Sequence, residues 1–255
     1  MLLEGKKALV TGGSQGIGKA VAFAFARNGA DVVICARNEN KLNKTIEEFY
    51  EVGVKVKYIV CDVSKPEEAV ETVKKATEFL GRIDILANIA GISPKAEGGF
   101  KIPFYELSDE VWNNVMDINL NSMFYLSKAV SKQMIEQEYG RIINMSSIVG
   151  LTSSEHGPAS ACYTTSKTAV VGLTRAMAYE LAPYNITVNA VAGGRIATEM
   201  SAANNQYYND LHMQLIPMKR FGTPEEVAEL FVFLASDKSS YITGITTNIT
   251  GGWFL

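Results

Sequence analysis

Short apolar runs alternate with amphipathic stretches along the chain. Residues 7–11 (KALVT), 31–35 (DVVIC), 55–60, 83–88, 141–145 (RIINM), 186–190 and 246–249 are short runs bounded by turn residues, and they predict seven strands. Between them, positions 16–28 carry a helical pattern stopped by Gly29, and positions 40–52 carry another that ends near Gly53. Ser64-Lys-Pro-Glu67 has the spacing of a capping box and predicts a helix running to about Leu80. Ser108 predicts a cap for a helix bearing Val111, Trp112 and Val115. Helical patterns follow at 119–137 and at 159–181, the latter closed by Pro183. Thr223-Pro-Glu-Glu226 is a second capping box with Pro224 in the first helical position. Residues 195–217 have weak periodicity and many Asn, Gln and Tyr residues, which predicts an insertion or lid.

Strands separated by helices make an α/β fold: a single doubly wound Rossmann-type domain over 1–255, with a seven-stranded parallel sheet and helices on both faces. Right-handed crossovers then bring every strand's C-terminal end to one edge, where ligands bind. With 255 residues and 47% hydrophobic content, the chain can bury a sizeable core, which excludes a disordered tail or a disulfide miniprotein. The net charge is −3 with no basic run, which argues against nucleic acid as a partner. No apolar stretch approaches the ~18 residues that cross a bilayer, and Leu2-Leu3 before Glu4 makes no signal peptide. Three widely spaced cysteines, Cys35, Cys61 and Cys162, fit a reducing, cytoplasmic setting. His156 and His212 are the only histidines and no HExxH or CxxC occurs, so no catalytic metal is expected. His156 reads as a solvated loop residue.

The chemistry is expected at strand ends. Thr11-Gly-Gly-Ser-Gln-Gly-Ile-Gly18 leaves the first strand and opens the first helix. Gly12, Gly16 and Gly18 permit a tight turn and let a pyrophosphate approach backbone N–H groups at a helix N-terminus. The same stretch fits G-x-S-x-G, a hydrolase nucleophile elbow centred on Ser14. An elbow on the first strand lacks an earlier loop for an oxyanion hole, and it leaves Gly18 and the later Tyr/Lys pair unused. After the second strand comes Ala36-Arg37, where an NAD site expects a ribose-binding acid. A guanidinium there suits a 2′-phosphate, so NADP(H) is preferred and NAD(H) possible. Asp62-Val63 ends the third strand; Asp62 either accepts from an adenine amino group or caps the next turn. Asn88, Ala90 and Gly91 end the fourth strand, where small residues let a ring or ribose lie over the sheet edge.

Tyr163 and Lys167 share one helix face at i, i+4. A phenol is a poor acid–base catalyst at neutral pH unless a nearby cation stabilises the phenolate. The spacing itself arises by chance about once in such a chain, so its weight comes from position. Just upstream, Met145-Ser146-Ser147 ends the fifth strand and offers a hydroxyl to a substrate carbonyl, from either serine. Asn119 lies where two helical patterns meet and either lines a cavity or caps a helix.

In combination these motifs resemble the short-chain dehydrogenase/reductase family over essentially the whole chain. TGGSQGIG at 11–18 is similar to the family's TGxxxGxG, and Asn88-Ile-Ala-Gly91 to its NNAG with Ala87 in the first Asn place. Ser147, Tyr163 and Lys167 match its catalytic set and Asn119 the fourth member. The resemblance implies that Tyr163 moves the substrate proton and that Lys167 binds the nicotinamide ribose and lowers the Tyr163 pKa. Ser147 would polarise the carbonyl and Asn119 would hold a relay water. It also implies cofactor contacts from Ser14, Gln15, Ile17, Gly194, Ile196 and Thr198. The segment from Ser147 to Tyr163 is longer than usual, the usual Pro-Gly after the sixth strand is Gly193-Gly194, and the usual Asp-Gly-Gly is Thr250-Gly251-Gly252. With Gly in place of Pro, the loop through Ile196 and Thr198 is expected to be more mobile.

Within the family the pattern is most similar to 3-oxoacyl-[acyl-carrier-protein] reductases and to sugar or polyol dehydrogenases. The expected substrate is a small carbonyl or alcohol, either free or acyl-carrier-bound. Arg195, Lys219 and Arg220 are the only cations near the site for an acidic carrier. The resemblance further implies a homotetramer built through the helices at 119–137 and 159–181. A non-catalytic nucleotide sensor and a purely structural subunit are the competing classes.

Overall fold

The computed structural model describes residues 1–49, 52–152, 157 and 159–254. Its strands are β1 (Lys7–Thr11), β2 (Asp31–Ala36), β3 (Val56–Val60), β4 (Ile85–Asn88), β5 (Gly140–Ser147), β6 (Ile186–Gly193) and β7 (Thr246–Ile249). They form one seven-stranded sheet in the order β3-β2-β1-β4-β5-β6-β7. Every pairing is parallel. The order reverses between β1 and β4, which opens a crevice at their C-terminal ends.

The helices are α1 (Gly16–Arg27), α2 (Glu39–Glu47), α3 (Pro66–Leu80), α4 (Asp109–Met116), α5 (Ser122–Glu136), α6 (Ala161–Leu181), α7 (Glu199–Ala202), α8 (Gln206–Leu215) and α9 (Pro224–Ala235). The sheet is buried on both faces, as continuous apolar strands require. On one face Ala8, Val10, Ile34, Ile85 and Ile143 meet Phe25 of α1 and Val227 and Phe231 of α9. On the other, Leu9, Val33, Leu86 and Ile142 meet Val73 and Ala76 of α3 and Leu126 and Val130 of α5.

The structure departs from the sequence pattern at several places. The helix expected over 40–52 ends at Glu47. Ser64 does not cap α3: the cap position is Lys65, and the Ser64 hydroxyl donates to Asp62 Oδ1 at 2.7 Å. Glu68, rather than Glu67, reaches back, accepting from the Asp62 N–H at 2.8 Å. β5 and β6 run longer than expected because Ser146 and Ser147 stay in register with Ala192 and Gly193. The 119–137 pattern is α5 preceded by a π-helical turn, Asp117–Asn121, that carries the chain over from α4. The 195–217 segment, expected as an insertion or lid of weak periodicity, contains α7 and α8 and buries Tyr208 and His212. His156 lies outside the described residues. Among the described residues, no helix is long and apolar enough to cross a membrane.

Candidate active site

A groove runs along the C-terminal edge of the sheet, from Arg37 and Lys41 past the glycine loop to Tyr163 and Lys167. The loop closes as tightly as its glycines allow. Gly12 has φ +69°, and a Cβ on Gly18 would fall 2.2 Å from the Gly12 carbonyl oxygen, so α1 can pack on the loop only with glycine there. No side chain caps α1 and its first turn holds no acid, so its N–H groups are available to an anion. Thr11 ties the crevice walls together: its Oγ1 accepts from the N–H groups of Ile89 and Ala90 at 2.9 and 3.0 Å. This cradle fits the diphosphate of a dinucleotide. As a nucleophile elbow the loop lacks a base, because no histidine is among the described residues lining the groove.

Gly12, Ser14, Gln15, Gly16, Ile17, Gly18, Arg37, Asp62, Val63, Ala90 and Gly91 all line the groove. Asn88 does not. Its amide donates inward to Ser127 Oγ and Asn144 Oδ1 at 3.2 and 2.9 Å, which makes it a strut between β4, β5 and α5. Asp62 Oδ1 accepts from the Ser64 N–H and hydroxyl, so the turn-capping reading of Asp62 is realised at the groove wall. Lys41 lines the same end as Arg37 and bonds Gln15 Oε1. Glu199 also lines the groove, its carboxylate close to Gly16. Lys41 and Glu199 were not read from the sequence, because each reaches the groove from a separate helix.

Strand alternation separates the two serines. Ser146 Oγ donates to the Lys167 carbonyl at 2.9 Å, whereas Ser147 lines the second pocket beside Tyr163, where its side chain favours the phenolate. Tyr163 and Lys167 lie one turn apart on α6. The buried Lys167 ammonium donates to the Met145 carbonyl at 2.7 Å and sits 5.8 Å from the Tyr163 ring centre. Burial brings the Lys167 pKa down to about 8. Burial also pushes the Tyr163 phenol up, opposed by the Ser147 side chain and the Arg195 charge. In this geometry the groups that favour the phenolate are thus Ser147 and Arg195, while Lys167 is turned to the end of β5.

Asn119 is fully buried in the π-helical turn. Its side chain accepts from the Ile92 N–H at 2.8 Å and donates to the Ile92 carbonyl and Ser166 Oγ at 3.0 and 3.1 Å. It anchors the strand-to-loop exit at Gly91 to α6, and its Oδ1 and the Lys167 ammonium both border Gly91. A π-helical turn at such a place is a common feature of functional sites.

Beyond Tyr163 a second pocket is lined by Ser147, Gly194, Ile196 and Thr198, together with Lys95, Arg195, His212 and Trp253. The Thr198 hydroxyl accepts from the Ser201 N–H as the cap of α7. Gly193 leaves room for Met145, whose Cε would lie 2.8 Å from a Cβ there; at Gly194 a Cβ would meet the Thr250 backbone at 2.9 Å. The loop that follows is tied down by Gly194 N–H to Ile249 O, Ala197 N–H to Gly222 O and Gly222 N–H to Arg195 O, each 2.9 Å. Of the cations expected near the site, Lys219 donates to the Gln214 carbonyl and Arg220 pairs with Glu226, leaving Arg195 in the pocket.

Residues 12–253 match a family model described as enoyl-(acyl carrier protein) reductase. The chain is 39% identical over 252 residues to the 3-oxoacyl-[acyl-carrier-protein] reductase of Thermotoga maritima, covering 99% of both chains. Its structure is similar to that of a 3-oxoacyl-[acyl-carrier protein] reductase from Brucella melitensis, with TM-score 0.92, 37% identity, and coverage of 100% of this chain and 93% of the other. A further Brucella melitensis reductase of that description, with bound NAD, superposes with TM-score 0.89 at 36% identity, covering 100% and 95% of the two chains. A full-length match of this kind, over a parallel sheet with its crevice between β1 and β4, leaves one assignment: the chain belongs to the short-chain dehydrogenase/reductase family, NAD(P)-dependent oxidoreductases that act on a hydroxyl or carbonyl group.

Proposed function

We propose that the protein interconverts a ketone and a secondary alcohol with NADP(H) as preferred cofactor, Tyr163 acting as general acid and base. The observation that carries this reading is that the Ser147 and Tyr163 side chains lie side by side where the groove meets the second pocket. Two hydroxyls converge there on the place for one substrate oxygen, an arrangement suited to a carbonyl. Bound NAD(P)H supplies the hydride. In the reductive direction Ser147 orients and polarises the carbonyl, and Tyr163 gives its proton to the oxygen as negative charge develops. The buried Lys167 ammonium, which borders Gly91 as the Asn119 side chain does, serves the cofactor ribose and the return of the proton to Tyr163. Gly12, Gly16 and Gly18 with the open end of α1 hold the diphosphate, and Arg37 with Lys41 receives the 2′-phosphate. The 195–217 segment acts as the substrate lid.

The substrate reading follows the relatives, whose names specify 3-oxoacyl groups on an acyl carrier protein. A sugar or polyol dehydrogenase is the second reading, favoured by the Asn204 and Ser201 side chains that line the second pocket. A homotetramer in the cytoplasm completes the proposal.

Tyr163→Phe tests it, because the ring stays and only the acid is lost. NADP(H) affinity is expected to stay within about threefold while kcat/KM for a carbonyl substrate falls by about 10²–10⁴. Turnover near that of the wild type overturns the role of Tyr163. Wild-type protein that binds NADPH but reduces no member of a carbonyl panel marks a sensor instead.

A further inference from the structure

The second pocket holds N–H groups whose hydrogen-bonding capacity the chemistry at Tyr163 leaves unfilled. Lys95, Arg195 and His212 line it, and none of the described lining residues is acidic. Arg195 makes no ion pair among the described residues: its Nη2 meets the Ser201 carbonyl at 3.4 Å and Asn209 Oδ1, and its buried Nε has no partner. The His212 ring is 1% exposed and packs 4.7 Å from the Trp253 ring, yet both of its nitrogens lack a hydrogen-bond partner. A half-buried guanidinium with its Nε–H orphaned, and a buried imidazole with neither nitrogen paired, are costly unless a ligand completes them.

We propose that the substrate carries a carboxylate a few bonds from its reacting carbon, and that Arg195 and His212 receive it in this pocket. The proposal rests on the oxidoreductase reading above. A carboxylate accepts from several N–H donors at once, which matches the orphaned Arg195 Nε–H and an N–H of neutral His212. Lys95 adds positive charge to the same wall. The titration behaviour agrees: burial and the Arg195 charge hold His212 down to about 4, and burial and the same charge bring Lys95 to about 8. An anion between them reverses each of these penalties. In the reductive direction the hydride adds to the carbonyl carbon, the Tyr163 proton goes to its oxygen, and the carboxylate leaves unchanged. Among the carbonyl substrates open to the oxidoreductase reading, this pocket then selects a short oxo acid and its hydroxy acid over the 3-oxoacyl thioester that the relatives' names specify.

The test compares 3-oxobutanoate with its methyl ester and with acetoacetyl-coenzyme A, following NADPH oxidation by the wild type, Arg195→Gln and His212→Gln. The wild type is expected to favour the acid over the ester by about tenfold or more in kcat/KM, and Arg195→Gln to bring that ratio to near one. His212→Gln lowers the same ratio and serves if the arginine variant does not fold. An ester or thioester turned over as well as the acid, or a ratio unmoved by both variants, overturns the proposal. A second readout needs no turnover: butanoate, but not butanamide, should change Trp253 fluorescence in the NADP+ complex, with Trp253→Phe as the control. Butanoate binding without reduction of any carbonyl sinks the oxidoreductase reading and keeps the carboxylate site. Carbonyl reduction without any butanoate response sinks the site and keeps the reading.

Discussion

Arg37 is exposed at the end of β2, and Lys41 reaches the same stretch of groove from the first turn of α2. Position 36 is alanine, so no carboxylate stands there to repel a 2′-phosphate. Arg37→Ala is expected to raise the Kd for NADPH about tenfold and leave NADH within a factor of two, measured by fluorescence titration. Equal losses for both cofactors would show that Arg37 does not read the phosphate. The residues legible in the sequence were those held by local spacing. Tyr163 and Lys167 fall on one helix face by the 3.6 period, and the glycines follow one another along a single turn. Ser147 could not be separated from Ser146 until the β5 register fixed which one turns to Tyr163 and which to the Lys167 carbonyl. Lys95 and His212 were invisible as site residues because they converge from segments more than a hundred positions apart. Asn88 misled for the opposite reason: its motif is genuine, but its amide points into the protein.

Two sequence stretches with the same capping spacing behave differently as elements. At Thr223 both reciprocal bonds form: its Oγ1 accepts from the Glu226 N–H at 3.2 Å, and Glu226 Oε2 accepts from the Thr223 N–H at 2.8 Å. Arg220 reinforces that carboxylate and, with the Thr223 N–H, holds its pKa down to about 2. At Ser64 the hydroxyl is taken by Asp62, one residue before the cap position of α3. Thr223→Ala is therefore expected to cost about 1 kcal/mol in urea unfolding and Ser64→Ala a few tenths. A larger loss at Ser64 would restore it as the cap. Strands were legible because both faces of the sheet are covered, which leaves continuous apolar runs; their polar ends were not, since pairing rather than composition keeps Ser146 to Ser147 and the end of β6 extended. The π-helical turn before α5 gives no signal in periodicity, yet it buries Asn119 against Ile92 and Ser166.

At the scale of the whole molecule, the sheet order places every functional strand end on one edge, while large apolar side chains remain on the outer helices. Phe124 on α5 is 45% exposed and Tyr179 on α6 is 88% exposed, and Phe104 and Tyr105 stand out before α4 at 77% and 85%. The proposed homotetramer, joined through α5 and α6, would cover Phe124 and Tyr179. α5 and α6 lie away from the groove mouth at Arg37, so copies joined through them leave the cofactor end open. Two-fold contacts present the same patch from each partner, and two such axes give a closed assembly of four chains. Light scattering at micromolar concentration is expected to return the mass of four chains. Tyr179→Glu puts a charge into the patch and should shift the distribution to fewer chains, while far-ultraviolet circular dichroism stays that of the folded protein. A wild type that elutes as one chain, or an assembly indifferent to Tyr179→Glu and Phe124→Glu together, would move the subunit contact away from these helices.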